Sequence, residues 1–136
     1  MRNLILALVL MLGACSSYNA WHKAVERNEH ANTIYPQNYK TEILSLLRTY
    51  LNDPSRVRDA FISEPAIKTI DGGDRYAACV RYNARKSGGQ YAGSKDAIVT
   101  FREGRLDRII DIPREAREQC KDAAYKPFAE LERLSR

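Results

Sequence analysis

The chain has 136 residues, room for one domain plus a leader or tether. At 44% hydrophobic and 29% charged its composition is that of a globular protein, which excludes a low-complexity or fibrous chain. The formal charge of +5 suits contact with phospholipid, lipopolysaccharide or polymer carboxylates, but the cations are spread too evenly for a nucleic-acid face.

The amino terminus reads MRNLILALVLMLGAC. Arg2 supplies a short positive region, and Leu4 to Leu12 is an apolar run too short to span a bilayer. Gly13 and Ala14 follow, then Cys15. Leu12-Gly13-Ala14-Cys15 resembles the lipobox of bacterial lipoproteins. That resemblance implies a signal peptide over residues 1–14 and a lipid thioether on Cys15, because the thiol is the nucleophile such a transfer needs. Ser16, by the same resemblance, implies the outer membrane and a domain facing the periplasm. Acyl chains add about 0.8 kcal/mol per buried CH₂, so several of them anchor stably.

Residues 15–35 read as a polar tether with a short helical stretch around Trp21 to Asn28. His22 and His30 lie there without a metal-type spacing. Trp21 suits either a membrane interface or packing on the domain. A single α+β domain is expected over residues 36–136.

Pro36 to Asp53 is the clearest helix, with Asn38 as its cap. Tyr39, Ile43, Leu46, Leu47, Tyr50 and Leu51 fall on one stripe of a 3.6-residue period. Asp53-Pro54 ends it. Arg58 to Ile62 and Ala66 to Ile70 are extended candidates, demoted to an edge or a broken strand by Pro65. Asp71 to Asp74 is a turn. In the strong strand Arg75 to Arg85, Tyr76, Ala78, Val80 and Tyr82 face the helix. Asp96 to Arg102 presents Ala97, Val99 and Phe101, the pair Glu103-Gly104 turns the chain, and Arg105 to Ile112 presents Leu106, Ile110 and Ile112. The expected fold is one main helix on a three- to four-stranded antiparallel meander, with the C-terminal segment tied on by a disulfide.

With Cys15 lipidated, Cys79 and Cys120 remain, and an oxidising periplasm predicts a bond between them. It closes a loop of about 41 residues, roughly 4 kcal/mol in the chain-entropy account. Cys79 alternates away from the helix stripe, so the bond is expected to pin the C-terminal segment to the sheet's second face or edge. That segment reads as a helix from Pro113, an interruption at Pro127, and a last turn carrying Phe128, Leu131 and Leu134.

Lys86 to Ser94 (KSGGQYAGS) is a glycine-rich connection. It lacks the phosphate-loop pattern GxxxxGK[ST]. Arg85, Lys86, Gly88, Gly89, Tyr91 and Gly93 are the candidate partner-binding residues, with Tyr91 at the expected tip. Hairpin geometry accounts for the same glycines. The segments Leu51-Asn52-Asp53-Pro54-Ser55, Cys79-Val80-Arg81-Tyr82-Asn83-Ala84-Arg85 and Gly88-Gly89-Gln90-Tyr91-Ala92-Gly93 resemble a pattern in small secreted proteins and lipoproteins of Gram-negative bacteria. That pattern runs L-x-D-P-x-S, C-x-x-x-N-A-[KR]-N, G-G-Y-x-G. Here the serine directly follows the proline, Lys86 stands where asparagine is usual, and Gln90 is inserted before Tyr91. The resemblance implies fold and compartment and brings no active site with it.

Catalysis needs a nucleophile, base or metal constellation, and no histidine lies beyond the tether. The expectation is a non-catalytic, membrane-anchored domain without cofactor or metal. Its partner is expected to be an envelope protein, peptidoglycan or lipopolysaccharide, not nucleic acid. The alternative is an inhibitor of a lysozyme-like hydrolase that inserts the Tyr91 loop.

Overall fold

A computed structural model describes residues 21–23 and 32–134. Cys15 and His30 lie outside them, as do residues 24–28 of the expected tether helix; Trp21 to Lys23 are helical. Asn32–Arg136 forms one compact unit.

The chain runs helix α1 (Tyr39–Tyr50), strands β1 (Asp53–Ile62), β2 (Ala66–Ile70), β3 (Gly73–Arg85), β4 (Lys95–Arg102) and β5 (Arg105–Ile110), helix α2 (Pro113–Cys120), strand β6 (Lys126–Pro127) and the single turn α3 (Ala129–Glu132). The six strands form one antiparallel sheet in the order β5-β4-β3-β1-β6, with β2 also paired to β3. This corrects the expectation of one main helix on a three- to four-stranded meander: the sheet is larger and the helices are small elements on both of its faces. Two strands account for the difference. β1 begins at the Asp53-Pro54 pair that reads as a stop, and β6 is two residues long and exists through its pairing with Phe61 and Ile62.

β1 departs from regular alternation. Its pairing with β3 shifts twice, between Asp53 and Arg58 and between Arg58 and Phe61. Arg56 (φ 57°) and Asp59 (φ 51°) take the left-handed conformation at these bulges. β1 and β2 then follow one another along β3, with Ile62 opposite Val80 and Ala66 opposite Ala77. At the bend, Ser63 N donates to the Cys79 carbonyl and Cys79 N donates to Ser63 Oγ, both at 2.9 Å. The serine hydroxyl thus stands in for a ladder carbonyl beside Pro65, and the buried Cys79 amide stays paired.

The even-numbered face of β3 (Ala78, Val80, Tyr82) and Ala97, Val99 and Phe101 of β4 pack with Ile43 and Leu47 of α1 and with Phe128 and Leu131 at α3. The opposite face carries a smaller core of Ile70, Ala77, Cys79, Ile98, Ala116 and Cys120, which α2 covers. Both faces of β4 are therefore buried from Ala97 to Phe101. The disulfide Cys79–Cys120 is formed and ties α2 to this second face. Asn38 occupies the α1 cap position without a side-chain cap hydrogen bond, which corrects its expected role.

The turns follow the glycines. Ile70 pairs with Gly73 around Asp71-Gly72, and Arg102 pairs with Arg105 around Glu103-Gly104. All four turn residues have positive φ, the geometry that two-residue hairpins demand. One face assignment changes: Thr100 pairs with Arg108 but Phe101 pairs with Leu106, so the ladder slips at Asp107. Leu106 and Ile109 consequently join the α1 side, Ile110 joins the α2 side, and Ile112 is exposed.

Candidate functional site

The three sequence segments singled out above meet at one end of the sheet. Asp53 Oδ1 accepts hydrogen bonds from Ser55 N (3.0 Å) and Ser55 Oγ (2.6 Å). This is an aspartate turn that Pro54 favours by its fixed φ. Asp53 Oδ2 pairs with Arg85 Nη2 at 2.8 Å, joining the start of β1 to the end of β3.

The Lys86–Ser94 connection is closed rather than extended. Lys86 N donates to the Gln90 carbonyl (2.8 Å), Gly89 N to the Lys86 carbonyl (2.9 Å) and Ala92 N to the Ala84 carbonyl (3.0 Å). The inserted Gln90 is thus part of the turn. Gly89 (φ 83°) and Gly93 (φ 93°) supply the reversals, and Gly93 N donates to Asn83 Oδ1 at 3.0 Å. Gly88 is exposed, with open space where a Cβ would stand.

Tyr91 lies back on β1, not out at a free tip. It bridges to Arg85, its hydroxyl donates to the Arg56 carbonyl at 2.8 Å, and the Arg58 guanidinium sits 4.2 Å from its ring centre. The left-handed Arg56 presents the carbonyl that Tyr91 uses. Of the candidate residues, Arg85 and Tyr91 serve this internal frame, whereas Lys86 is exposed and has no ion-pair partner among the described residues.

Beside the frame lies a cleft of about 420 Å³ between the end of α1, the end of β3, the loop exit and Asp111. Arg85, Lys86 and Gly93 line it, as do Tyr50, Tyr82, Lys95 and Asp111, which sequence reasoning did not single out. Tyr50 OH donates to Asp111 Oδ2, and Lys95 Nζ reaches the same oxygen at 3.2 Å. Lys95 Nζ also sits 5.6 Å from the Tyr82 ring centre. The Tyr82 side chain is fully buried, and its hydroxyl has no hydrogen-bond partner among the described residues. The available signal for these residues was the phenol itself: a tyrosine in an apolar stripe carries a hydroxyl that needs a partner.

The hydrogen bond to Asp111 pushes the Tyr50 phenol up to about 12 and holds the Asp111 carboxyl below its usual range. Burial raises Tyr82, with the Tyr50 and Asp111 charges adding to it. Both phenols are therefore hydrogen-bond donors at neutral pH. Arg85 is paired with Asp53 and Lys95 with Asp111, so Lys86 is the lining cation that can hold a polar, negatively charged group.

Lys95 and Asp111 also border a second cleft of about 530 Å³ with Arg81, Asp96 and Arg117. Arg81 grips Asp96 through Nε (2.8 Å) and Nη2 (3.1 Å), and Tyr125 OH donates to Asp96 Oδ1 at 2.8 Å. Burial acts to raise Asp96, but these hydrogen bonds together outweigh it and leave the carboxyl lowered. Asp96 is thus fully engaged in holding β3, β4 and the segment after α2 together. Among the described residues no group of three or more His, Cys, Asp or Glu side chains is arranged to hold a metal ion.

No protein-family profile, curated protein or solved structure matches the chain.

Proposed function

We propose that this protein is a lipid-anchored, non-catalytic domain of a bacterial envelope, tethered through Cys15 to the outer membrane and binding an envelope partner on its periplasmic side. The observation that carries the reading is the cysteine accounting. The chain has three cysteines, and two of them are joined inside the domain. Cys15 is left over, directly after an apolar leader and two small residues. A bonded pair favours an oxidising compartment. The leftover thiol sits where lipid transfer needs it.

The contact surface is the end of the sheet where the cleft opens beside Lys86. Its partner is an envelope protein, peptidoglycan or lipopolysaccharide, recognised by polar and charged contacts rather than by an inserted Tyr91. Labelling cells with a fatty-acid analogue tests the anchor: the wild-type chain takes up label and pellets with membranes, and Cys15→Ser does neither. Label on Cys15→Ser, or none on wild type, refutes it. For the surface, cross-linking in intact cells is compared for wild type and Lys86→Glu. Loss of a specific adduct in the variant supports this face, and an unchanged adduct pattern removes it.

A further inference from the structure

We infer that the cleft between Tyr50, Tyr82, Lys86 and Asp111 is a binding site for an acidic sugar, with the sugar carboxylate held at the Lys86 side. The inference rests on the proposed function only in taking this end of the sheet as the contact surface.

Three observations carry it. First, Tyr82 is fully buried, lines the cleft, and leaves its hydroxyl unpartnered, and the nearby Arg85 Nε is buried without a partner as well. A buried polar group lacking a hydrogen bond is costly, so a ligand oxygen that reaches the Tyr82 hydroxyl behind the cleft wall relieves that cost. Lys95 Nζ, which holds Asp111 Oδ2 at 3.2 Å, lies 5.6 Å from the Tyr82 ring centre, so the ring borders that ion pair on the cleft.

Second, the charge selects the ligand. Arg85 is paired with Asp53 and Lys95 with Asp111, which leaves Lys86 as the uncompensated cation on the lining. One surplus positive charge matches a carboxylate better than a doubly charged phosphate.

Third, the remainder of the lining suits a polyhydroxyl ring. Tyr50 is 40% exposed and is an aromatic residue of the lining. Asp111 has acceptor positions beyond those used by Tyr50 and Lys95. The volume of about 420 Å³ lies within the range that small-ligand sites occupy.

The test is an amide chemical-shift titration of the full chain in mild detergent with glucuronate, glucose, N-acetylalanine and inorganic phosphate in separate arms. Glucuronate is expected to move the Lys86, Gly93 and Lys95 amides saturably, and the neutral sugar is expected not to. Lys86→Gln should weaken the glucuronate response about tenfold, the size of one lost charged hydrogen bond, and Tyr82→Phe about fivefold, the size of one lost neutral hydrogen bond. Tyr82→Phe retains the core ring, and Lys86 is exposed, so a native spectrum is expected from both variants. Equal responses to glucuronate and glucose overturn the role of the carboxylate. N-acetylalanine binding as tightly as glucuronate overturns the sugar, and phosphate binding more tightly overturns the charge match. Unchanged affinity in both variants removes the cleft as the site. Fatty-acid labelling reads the anchor separately, so glucuronate binding by a chain that takes no label would uphold this site while refuting the envelope reading.

Discussion

Breaking the Cys79–Cys120 bond should uncouple α2 from the sheet before it unfolds the rest of the domain. The two cysteines are 41 positions apart, and both are essentially fully buried. Opening a loop of that length returns roughly 4 kcal/mol of conformational freedom to the unfolded chain. A domain of this size has about 5–15 kcal/mol in total. At about 4–8 °C per kcal/mol, the double variant Cys79→Ala/Cys120→Ala should melt roughly 15–30 °C lower. The damage should be lopsided. Buried side chains of α2 itself are Ala116 and Cys120, whereas the other face keeps Ile43, Leu47, Phe101, Phe128 and Leu131. Thermal unfolding followed by circular dichroism, with and without reductant, measures the first effect. Hydrogen exchange measures the second: amides from Ala116 to Ala123 should lose protection while those of β3 and β4 retain theirs. A melting shift below about 5 °C, or simultaneous loss of protection on both faces, would refute this account of how the second face is held.

Tyr82→Phe removes an unpartnered buried hydroxyl and should leave the melting temperature equal or higher; a loss above about 1 kcal/mol would reveal a partner for that hydroxyl. Gly104→Ala should destabilise by more than about 1 kcal/mol in urea titration, because φ is +72° and the new Cβ would stand 2.9 Å from Ile34 Cγ2. Spectroscopic titration of the phenols should find Tyr50 near 12 and Asp111→Asn should return it toward 10.0. Because the folded value is raised, the Tyr50 contribution is complete below 10.0 and is lost as pH rises through about 12. Asp96 and Asp111 have the opposite sign: both sit below 3.8, so their contributions are present above 3.8 and are lost as pH falls through the lower folded values. The urea midpoint should therefore drop on acidification below 3.8, and Asp96→Asn should flatten that drop.

The parts of the fold legible in the sequence were those set by local period and local turn chemistry. The α1 stripe, the even face of β3 and the pair Glu103-Gly104 each follow from side-chain spacing or from a backbone angle that glycine adopts freely. The Cys79–Cys120 pairing followed from counting thiols against an expected oxidising compartment and an expected lipid on Cys15. β1 was illegible over its first half because Arg56 and Asp59 adopt left-handed geometry without being glycine, and their bulges erase the two-residue alternation. The slip at Asp107 had the same effect on β5, moving Ile110 to the other face. At the candidate site, Arg85, Lys86 and Gly93 were in view because they flank a glycine-rich loop. Tyr50 and Tyr82 were not, because both belong to apolar stripes and read as core. Tyr82 is core, and what distinguishes it is the position of one oxygen, which pattern alone does not reveal.

The bulged start of β1 explains why the three sequence segments converge where the cleft opens. A regular strand continuing from Ile62 back to Asp53 would pair residue for residue with β3 and carry that start well past Arg85. The bulges take up the excess chain, so that Asp53 falls opposite Arg85 and their ion pair can form. A left-handed non-glycine residue costs on the order of 1 kcal/mol, and β1 has two of them. The strain is offset locally: Asp53 collects Ser55 and Arg85, and Tyr91 caps the Arg56 carbonyl with its hydroxyl and lies beneath Arg58. Tyr91, the residue that looks most like a free contact in the sequence, thus belongs to the scaffold. Lys86, which opens the loop, and Lys95, which directly follows it, are lysines that this scaffold brings to the cleft lining.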